Sequence, residues 1–253
     1  MRTHKTTTGS REQADIHFTK RAGKYNHSSN WVEDQKLIRR IFELSEAKKD
    51  SSVLDIATGT GLIAKEFHGK VGKVIGLDIS REMAKHADNC MDEIVFSPIE
   101  HMPFAENTFD ACVCRQGLQF AELDKAIPEI HRVLRPGGTV VLCHLTAYNE
   151  QDRDLTFRIQ ELRNPARKNY LMPNDISDAL KRQGFREVRN IDYITDESVN
   201  KWIDNGAIAK DRMDAIRELY RLSDEAFRKI HRVRFTDNDI IDAMLLVITK
   251  AIK

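Results

Sequence analysis

Short apolar runs alternate with amphipathic segments through residue 145. The apolar runs predict five strands, at residues 52–56, 73–78, 93–96, 109–114 and 139–144. Apolar residues that recur near a 3.6-residue period predict helices at residues 32–45, 62–67, 81–90 and 123–133. Strands that alternate with short helices form parallel βαβ units, so we expect an α/β fold with a doubly wound sheet.

The pattern changes beyond residue 145. The remaining predicted elements are helices at 150–163 and 176–183, a strand at 188–194, a helical region over 197–233 and a closing strand at 243–248. Residues 32–195 and 242–253 would then form a core with a mostly parallel seven-stranded sheet. Residues 196–241 would form a helical insertion before the last strand, placed to act as a lid at one end of the sheet.

Composition narrows the functional classes. The 253 residues include 40 Lys and Arg and 39 Asp and Glu, so the net charge of +1 offers no positive excess for nucleic acid. No apolar run approaches the roughly 20 residues that a membrane helix needs, and no signal-peptide pattern is present. The four cysteines lack the spacing of zinc ligands, and the basic residues 231–234 are expected on the surface. We expect a cytoplasmic monomer or homodimer that binds no metal, nucleic acid or membrane.

The run at residues 53–61 carries the strongest chemical signal. It is an apolar strand that breaks into a turn containing Gly59 and Gly61, with Ala64 completing a G-x-G-x-x-G/A pattern. Asp78 ends the next strand, 19 residues after Gly59, where a carboxylate can accept hydrogen bonds from a ribose diol. These residues indicate a cofactor that contains a nucleoside.

Asp55, at the end of the first strand, helps to distinguish between two kinds of nucleoside cofactor. A nicotinamide dinucleotide would place its pyrophosphate near the following helix N-terminus, where the Asp55 carboxylate would repel it. A cationic cofactor with an amino group would instead be attracted. The residues favour the cationic cofactor and leave the dinucleotide as an alternative.

Four segments resemble the motifs of the class I S-adenosylmethionine-dependent methyltransferases in order and spacing. They are residues 53–61, 76–80, 102–110 and 134–138, the last reading LRPGG. The resemblance spans residues 50–145 and is closest to the methyltransferase type 11-like small-molecule group, similar to the ubiquinone/menaquinone C-methylating enzymes. It implies a Rossmann-like methyltransferase fold, S-adenosyl-L-methionine as cofactor and a small-molecule substrate.

The resemblance also implies a set of cofactor-binding residues. Gly59 and Gly61 would lie against the methionine part with Asp55 beneath them, and Asp78 would accept from both ribose hydroxyls. The full set is Tyr25, Asp55, Ala57, Gly59, Gly61, Asp78, Ile79, Met83, Ile99, Glu100, Arg115 and Gln116, with residues 1–31 folded over the cofactor. Two positions depart from the family: Ala57 replaces a usual glycine, and Pro98 replaces the aspartate that reads the adenine amino group.

Residues for the methyl acceptor are expected at the carboxyl ends of the fourth and fifth strands, where such sheets bind ligands. His144 could act as a general base because its ordinary pKa is near neutrality, or it could simply cap a strand end. Gln119 could hydrogen-bond the acceptor or have a structural role. Candidate substrate contacts are Phe120, Tyr148, Arg167, Tyr170 and Trp202, for which a solvated face or packing of the insertion is the alternative.

We therefore expect methyl transfer by in-line displacement to a small organic acceptor with aromatic or apolar character. One alternative is a non-catalytic or repurposed protein that binds S-adenosylmethionine. A second alternative, from a different class, is a nicotinamide-dependent dehydrogenase.

Overall fold

The computed structural model describes residues 15–87 and 89–253. Its strands are β1 Ser52–Ile56, β2 Lys73–Asp78, β3 Glu93–Phe96, β4 Phe109–Arg115, β5 Leu134–Leu145, β6 Arg186–Ser198, β7 Arg234–Phe235 and β8 Ile240–Ile252. Its helices are α1 (residues 15–21), α2 Gln35–Ser45, α3 Leu62–Phe67, α4 Arg81–Ala84, α5 Leu123–Val133, α6 Arg153–Arg163, α7 Asp175–Gln183, α8 Val199–Ile203, α9 Lys210–Leu222 and α10 Glu225–Ile230. Within these residues, none of the helices has the length and apolar character to cross a membrane.

The strands form one mixed sheet in the order β3-β2-β1-β4-β5-β8-β6. Strands β1 to β5 pair in parallel, whereas β8 runs antiparallel to both β5 and β6. The two-residue β7 lies off this path and pairs with β8. The predicted doubly wound, mostly parallel seven-stranded sheet is confirmed, with β7 as a short addition. Because β1, β2 and β4 are parallel, their carboxyl ends meet at one edge of the sheet.

Both faces of the sheet are covered, which explains why its central strands are continuously apolar. Val53 of β1 packs in one core cluster with α2, α3, α6, α8, α9 and α10. Leu54 and Ile56 point the opposite way, into a second cluster with α5 and α7. Cys112 and Cys114 also share this second face, as their spacing predicts, and both thiols are free and buried.

Several elements differ in length from their predictions. The segment LRPGG, residues 134–138, follows the end of α5 and is already part of β5. Its Leu134 pairs with Phe109 and begins that strand. Strands β6 and β8 extend well beyond the predicted ranges since each completes its hydrogen bonds on the other. Helix α4 ends at Ala84 instead of residue 90. The strand boundaries depend on pairing partners that are distant in the sequence.

The predicted helical region between β6 and β7 consists of three helices, α8, α9 and α10. Helices α8, α9 and α10 pack on the sheet face that carries α6, with Trp202, Ile216 and Phe227 buried in the same cluster. The assignment of residues 196–241 as a lid stays a prediction. Of the N-terminal segment 1–31, residues 1–14 lie outside the described residues.

Candidate active site

A cavity opens where β1, β2 and β4 end, with about 750 Å³ of empty space including its solvent-open mouth; we call it the strand-end cavity. Ten of the twelve residues predicted to bind a cofactor line it, namely Tyr25, Ala57, Gly59, Asp78, Ile79, Met83, Ile99, Glu100, Arg115 and Gln116. Phe18, Ser97, Pro98, Gly117 and Phe120 are also among the lining residues. The other two predicted residues, Asp55 and Gly61, lie outside this lining. The fold thus collects one set of residues from the ends of several strands.

Asp78 is held by the backbone on both carboxylate oxygens. Its Oδ2 accepts the N–H of Gly59 at 2.7 Å, and its Oδ1 accepts the N–H of Ser80 at 2.8 Å. Gly59 has a φ of +57°, a left-handed conformation that glycine adopts without a steric cost. Burial raises the pKa of Asp78, and these two N–H groups oppose that rise. Each oxygen keeps a further lone pair, so the carboxylate can accept from two hydroxyl groups in the cavity.

Asp55 lies beneath the glycine turn, in a small recess next to the strand-end cavity. Its Oδ2 accepts from Thr58 Oγ1 at 2.7 Å and from the N–H of Ala64 at 3.1 Å. Burial raises the pKa of this carboxyl to about 7, and both hydrogen bonds and Arg115 counteract the rise. A positively charged ligand group beside it would favour the ionised carboxylate.

The two small residues of the turn have different roles. Gly61 begins α3 at φ +76°, and a Cβ there would lie 2.3 Å from Cys90 Sγ, so this glycine permits close packing and does not face the cavity. Ala57, which replaces the usual glycine, adopts φ +56° and lines the cavity. It is accommodated because the facing residue is Gly117, where a Cβ would lie 2.6 Å from that of Ala57.

The end of the cavity around Ile79, Met83 and Ile99 is apolar. Pro98 lines this end and provides neither a carboxylate nor an N–H for an adenine amino group. Glu100 is buried nearby, with its Oε1 accepting the N–H of Glu122 at 2.9 Å. The apolar walls suit the faces of a purine ring.

The N-terminal segment reaches the cavity as predicted for Tyr25. Arg115 anchors this segment, since its Nη1 donates to the carbonyls of Trp31 at 3.1 Å and Val32 at 3.0 Å. Thr60 of the glycine turn also donates to Asn26 Oδ1 at 2.6 Å, a contact that no sequence signal indicated. The turn and the N-terminal segment are therefore joined directly.

His144 does not reach the cavity. Its side chain is 2% exposed, lines neither this cavity nor its neighbours, and accepts the N–H of Leu118 on Nε2 at 3.2 Å. Burial and the charge of Arg167 lower the pKa of His144 to about 3. Because its basic nitrogen is already occupied, the expectation of a general base at His144 is not supported by the geometry.

The other acceptor-side residues divide into two groups. Tyr148 donates its hydroxyl to the carbonyl of Ala243 at 2.5 Å and lies away from the cavity, and Tyr170 lines an outer groove. A second cavity, with about 420 Å³ of empty space including solvent-open space, is lined by Gln119, Phe120, Arg167 and Trp202. We call it the arginine cavity because Arg21 and Arg163 line it together with Arg167.

The arginine cavity directly adjoins the strand-end cavity. Phe18, Tyr25, Gln116 and Phe120 line both cavities and form the wall between them. Gln116 adopts φ +60°, and its Oε1 accepts from Gln119 Nε2 at 2.9 Å, which links the two sides. Two ligands bound in these cavities would be neighbours.

Comparisons with known proteins identify the family of this chain. A family model described as a methyltransferase domain matches residues 54–142. An uncharacterized protein of Methanocaldococcus jannaschii is 30% identical over 68% of this chain and 82% of its own length. The ubiquinone/menaquinone biosynthesis C-methyltransferase of Haemophilus ducreyi is 34% identical over 41% of this chain, which spans only 45% of that enzyme. The crystal structure of the YcgJ protein from Bacillus subtilis superposes with a TM-score of 0.79 at 21% identity, covering 85% of this chain and 97% of that one.

The fold and the motif order define the class of this protein. It belongs to the S-adenosylmethionine-dependent methyltransferase family and is an enzyme of that family. The family implies S-adenosylmethionine as methyl donor. The residues of the strand-end cavity fit that cofactor, because they combine carboxylates, an apolar end and no cluster of phosphate-binding groups.

Proposed function

We propose that this protein transfers a methyl group from S-adenosylmethionine to a small organic acceptor bound in the arginine cavity. The observation that carries the proposal is the adjacency of the two cavities across one shared wall. One cavity contains the predicted cofactor residues, and the other contains the acceptor-side residues Gln119, Phe120, Arg167 and Trp202.

In this proposal the chain mainly binds, orients and excludes water. Asp78 would accept from the ribose hydroxyls, and Ile79 and Met83 would pack on the adenine. Asp55 would favour the cationic methionine end from below. The bound cofactor supplies a methyl group already activated on a sulfonium, so alignment of the acceptor provides much of the acceleration.

The side chains near the shared wall suggest positioning and not strong acid–base catalysis. Gln119 and Gln116 are hydrogen-bonded amides and do not titrate. The acceptor's own lone pair would form the new bond to the methyl carbon while the carbon–sulfur bond breaks onto sulfur. Helix α8 contributes Trp202 to the wall of the arginine cavity, which supports residues 196–241 as a cover for this site.

Calorimetric titration with S-adenosylhomocysteine tests the cofactor part of the proposal. Asp78→Ala is expected to weaken binding at least tenfold with the fold intact, since two charge-assisted hydrogen bonds are lost. Asp154→Ala, a change at an exposed aspartate in α6, is the matched control and should bind like the parent protein. An unchanged affinity in Asp78→Ala would show that the ribose contact is misassigned.

Turnover tests the transferase part. Incubation with S-adenosylmethionine and a fractionated cell extract should produce S-adenosylhomocysteine in at least one fraction, with a matching gain of 14 mass units in one compound. Tight cofactor binding with no turnover in any fraction would instead support the non-catalytic alternative.

A further inference from the structure

Three arginines converge on the arginine cavity from separate parts of the chain. Arg21 ends α1, Arg163 ends α6, and Arg167 follows in the next loop. Arg21 is only 3% exposed and Arg163 only 7% exposed. Glutamate and aspartate are absent from the cavity lining, and no carboxylate of the described chain forms an ion pair with any of the three. A cluster of buried cations without a counterion is costly unless a ligand completes it.

Existing contacts hold these arginine side chains in place but leave some of their N–H groups without an acceptor among the described residues. Arg163 Nε donates to the carbonyl of Trp202 at 3.1 Å, and its guanidinium lies 4.4 Å from the centre of that indole ring. Arg21 donates to Ser28 Oγ at 3.3 Å and stacks on Tyr25. Within the described residues Arg21 Nε, Arg163 Nη2 and Arg167 Nε are buried with no hydrogen-bond partner. These three N–H groups are therefore held in place and could donate to a ligand.

Electrostatics agree with the geometry. Burial lowers the pKa of Arg163 well below its ordinary value, and the charges of Arg21 and Arg167 lower it further. Glu197 is the acid that acts on Arg163, but its two oxygens accept the backbone N–H groups of Asn30 and Trp31 and do not pair with the guanidinium. An anion in the cavity would relieve this repulsion.

Neutral polar groups surround the same space. Gln160 is 2% exposed, and neither its amide nitrogen nor its amide oxygen has a partner among the described residues. Three more buried polar atoms have no hydrogen-bond partner among the described residues. They are Gln119 Oε1 and the indole nitrogens of Trp31 and Trp202. These polar atoms and the three guanidinium groups lie around one space that is partly open to solvent.

We propose that the arginine cavity binds the oxyanion of a small organic acid, and that this acid is the methyl acceptor. The inference rests on the proposed function. Arginine presents planar paired donors that match a carboxylate or a phosphate, so either oxyanion fits the cluster chemically. An oxyanion neutralised by three arginines is a poor nucleophile. It therefore serves as the handle that orients another atom of the acceptor across the shared wall.

Calorimetry tests the inference by measuring how tightly three probes bind. The protein is first saturated with S-adenosylhomocysteine. The probes are benzoate, its uncharged isostere benzamide, and inorganic phosphate. We expect benzoate or phosphate to bind at least tenfold more tightly than benzamide. Preference for phosphate would identify the acceptor as a phosphate ester, and preference for benzoate would identify it as a carboxylic acid.

Two arginine variants test whether the preferred anion binds in the arginine cavity. Arg163→Gln and Arg167→Gln should each weaken binding of the preferred anion at least tenfold, whereas Arg158→Gln, an exposed arginine of α6, should leave it unchanged. If one variant fails to fold, the other still decides the outcome. Equal binding of benzoate and benzamide with phosphate not bound, or anion binding unaffected by both variants, would overturn the inference. Failure of the proposed function is distinguishable, because either S-adenosylhomocysteine would then not bind, or no extract fraction would support turnover although the anion binds through Arg163 and Arg167.

Discussion

His231 lies in the interior between two carboxylates, although its basic segment was expected on the surface. Its Nε2 lies 2.9 Å from Asp152 Oδ2, and its Nδ1 lies 2.8 Å from Asp242 Oδ1. Asp242 also accepts from the hydroxyl of Tyr220 at 2.5 Å, and the ring of Tyr148 lies edge-on to the imidazole. Burial disfavours the charged imidazole, but hydrogen bonds to both carboxylates outweigh it and raise the pKa of His231 to about 9.

The contribution of His231 to the folding free energy follows from the rise in its pKa. A pKa that rises from 6.5 to about 9 corresponds to about 3 kcal/mol of folding free energy, at about 1.4 kcal/mol per pKa unit. The folded protein holds the proton more tightly than the unfolded chain does. The contribution is therefore fully present below pH 6.5 and is lost as the pH rises through about 9.

The perturbation is His231→Gln, which removes the cation and leaves two facing carboxylates. At pH 6 we expect this variant to unfold with a free energy lower by about 3–5 kcal/mol, as for other broken buried pairs. Between pH 6 and pH 10 the difference between parent and variant should shrink by about 3 kcal/mol. Titration of Tyr148 and Tyr220 occurs in both proteins, so it largely cancels in the difference.

Urea denaturation followed by circular dichroism at pH 6, 8 and 10 measures these free energies. His68→Gln, at an exposed histidine, is the control and should show no pH-dependent difference from the parent. A parent–variant difference that stays constant from pH 6 to pH 10 would show that His231 is neutral in the folded protein, and the reasoning would be wrong.

Three further predictions concern the site. Gly117→Ala should destabilise the protein by about 1–3 kcal/mol because its Cβ would lie 2.6 Å from the Cβ of Ala57 and 2.7 Å from Cys114 Sγ, and adding Ala57→Gly should restore part of that loss in urea denaturation. Cofactor affinity should rise as the pH increases through about 7 while Asp55 ionises, and calorimetry on Asp55→Asn should show a flat profile over that range. Arg115→Gln removes the bond to the Trp31 carbonyl, so limited trypsin digestion should cleave the N-terminal segment several-fold faster; equal cleavage rates would contradict this.

The lining of the strand-end cavity could be predicted largely from sequence. Its residues lie at strand ends and in turns, where backbone geometry restricts the choice of side chain. Gly59 is needed at positive φ, and Asp78 ends a strand beside it, so local pattern and spacing suffice. Gly61 shows the limit of this reasoning, because the same conformational signal serves packing against Cys90 and not the cavity.

The acceptor side could not be predicted in the same way. Arg21 and Arg163 are separated by more than half of the chain and meet only when α1 and α6 pack on the same side of the sheet. His144 illustrates the converse error. A strand-end histidine looks reactive in sequence, but burial and the N–H of Leu118 occupy it.

The amino-acid sequence by itself determined the βαβ order, the glycine turn and the acid pair Asp55 and Asp78, because hydrophobic period and backbone conformation are local properties. Tertiary structure alone decided which side chains are desolvated together. Packing placed His231 between two acids that keep it charged, and it gathered three arginines that no carboxylate of residues 15–87 and 89–253 pairs with. Charge and solvation energies depend on neighbours in space, and those neighbours come from distant parts of the chain.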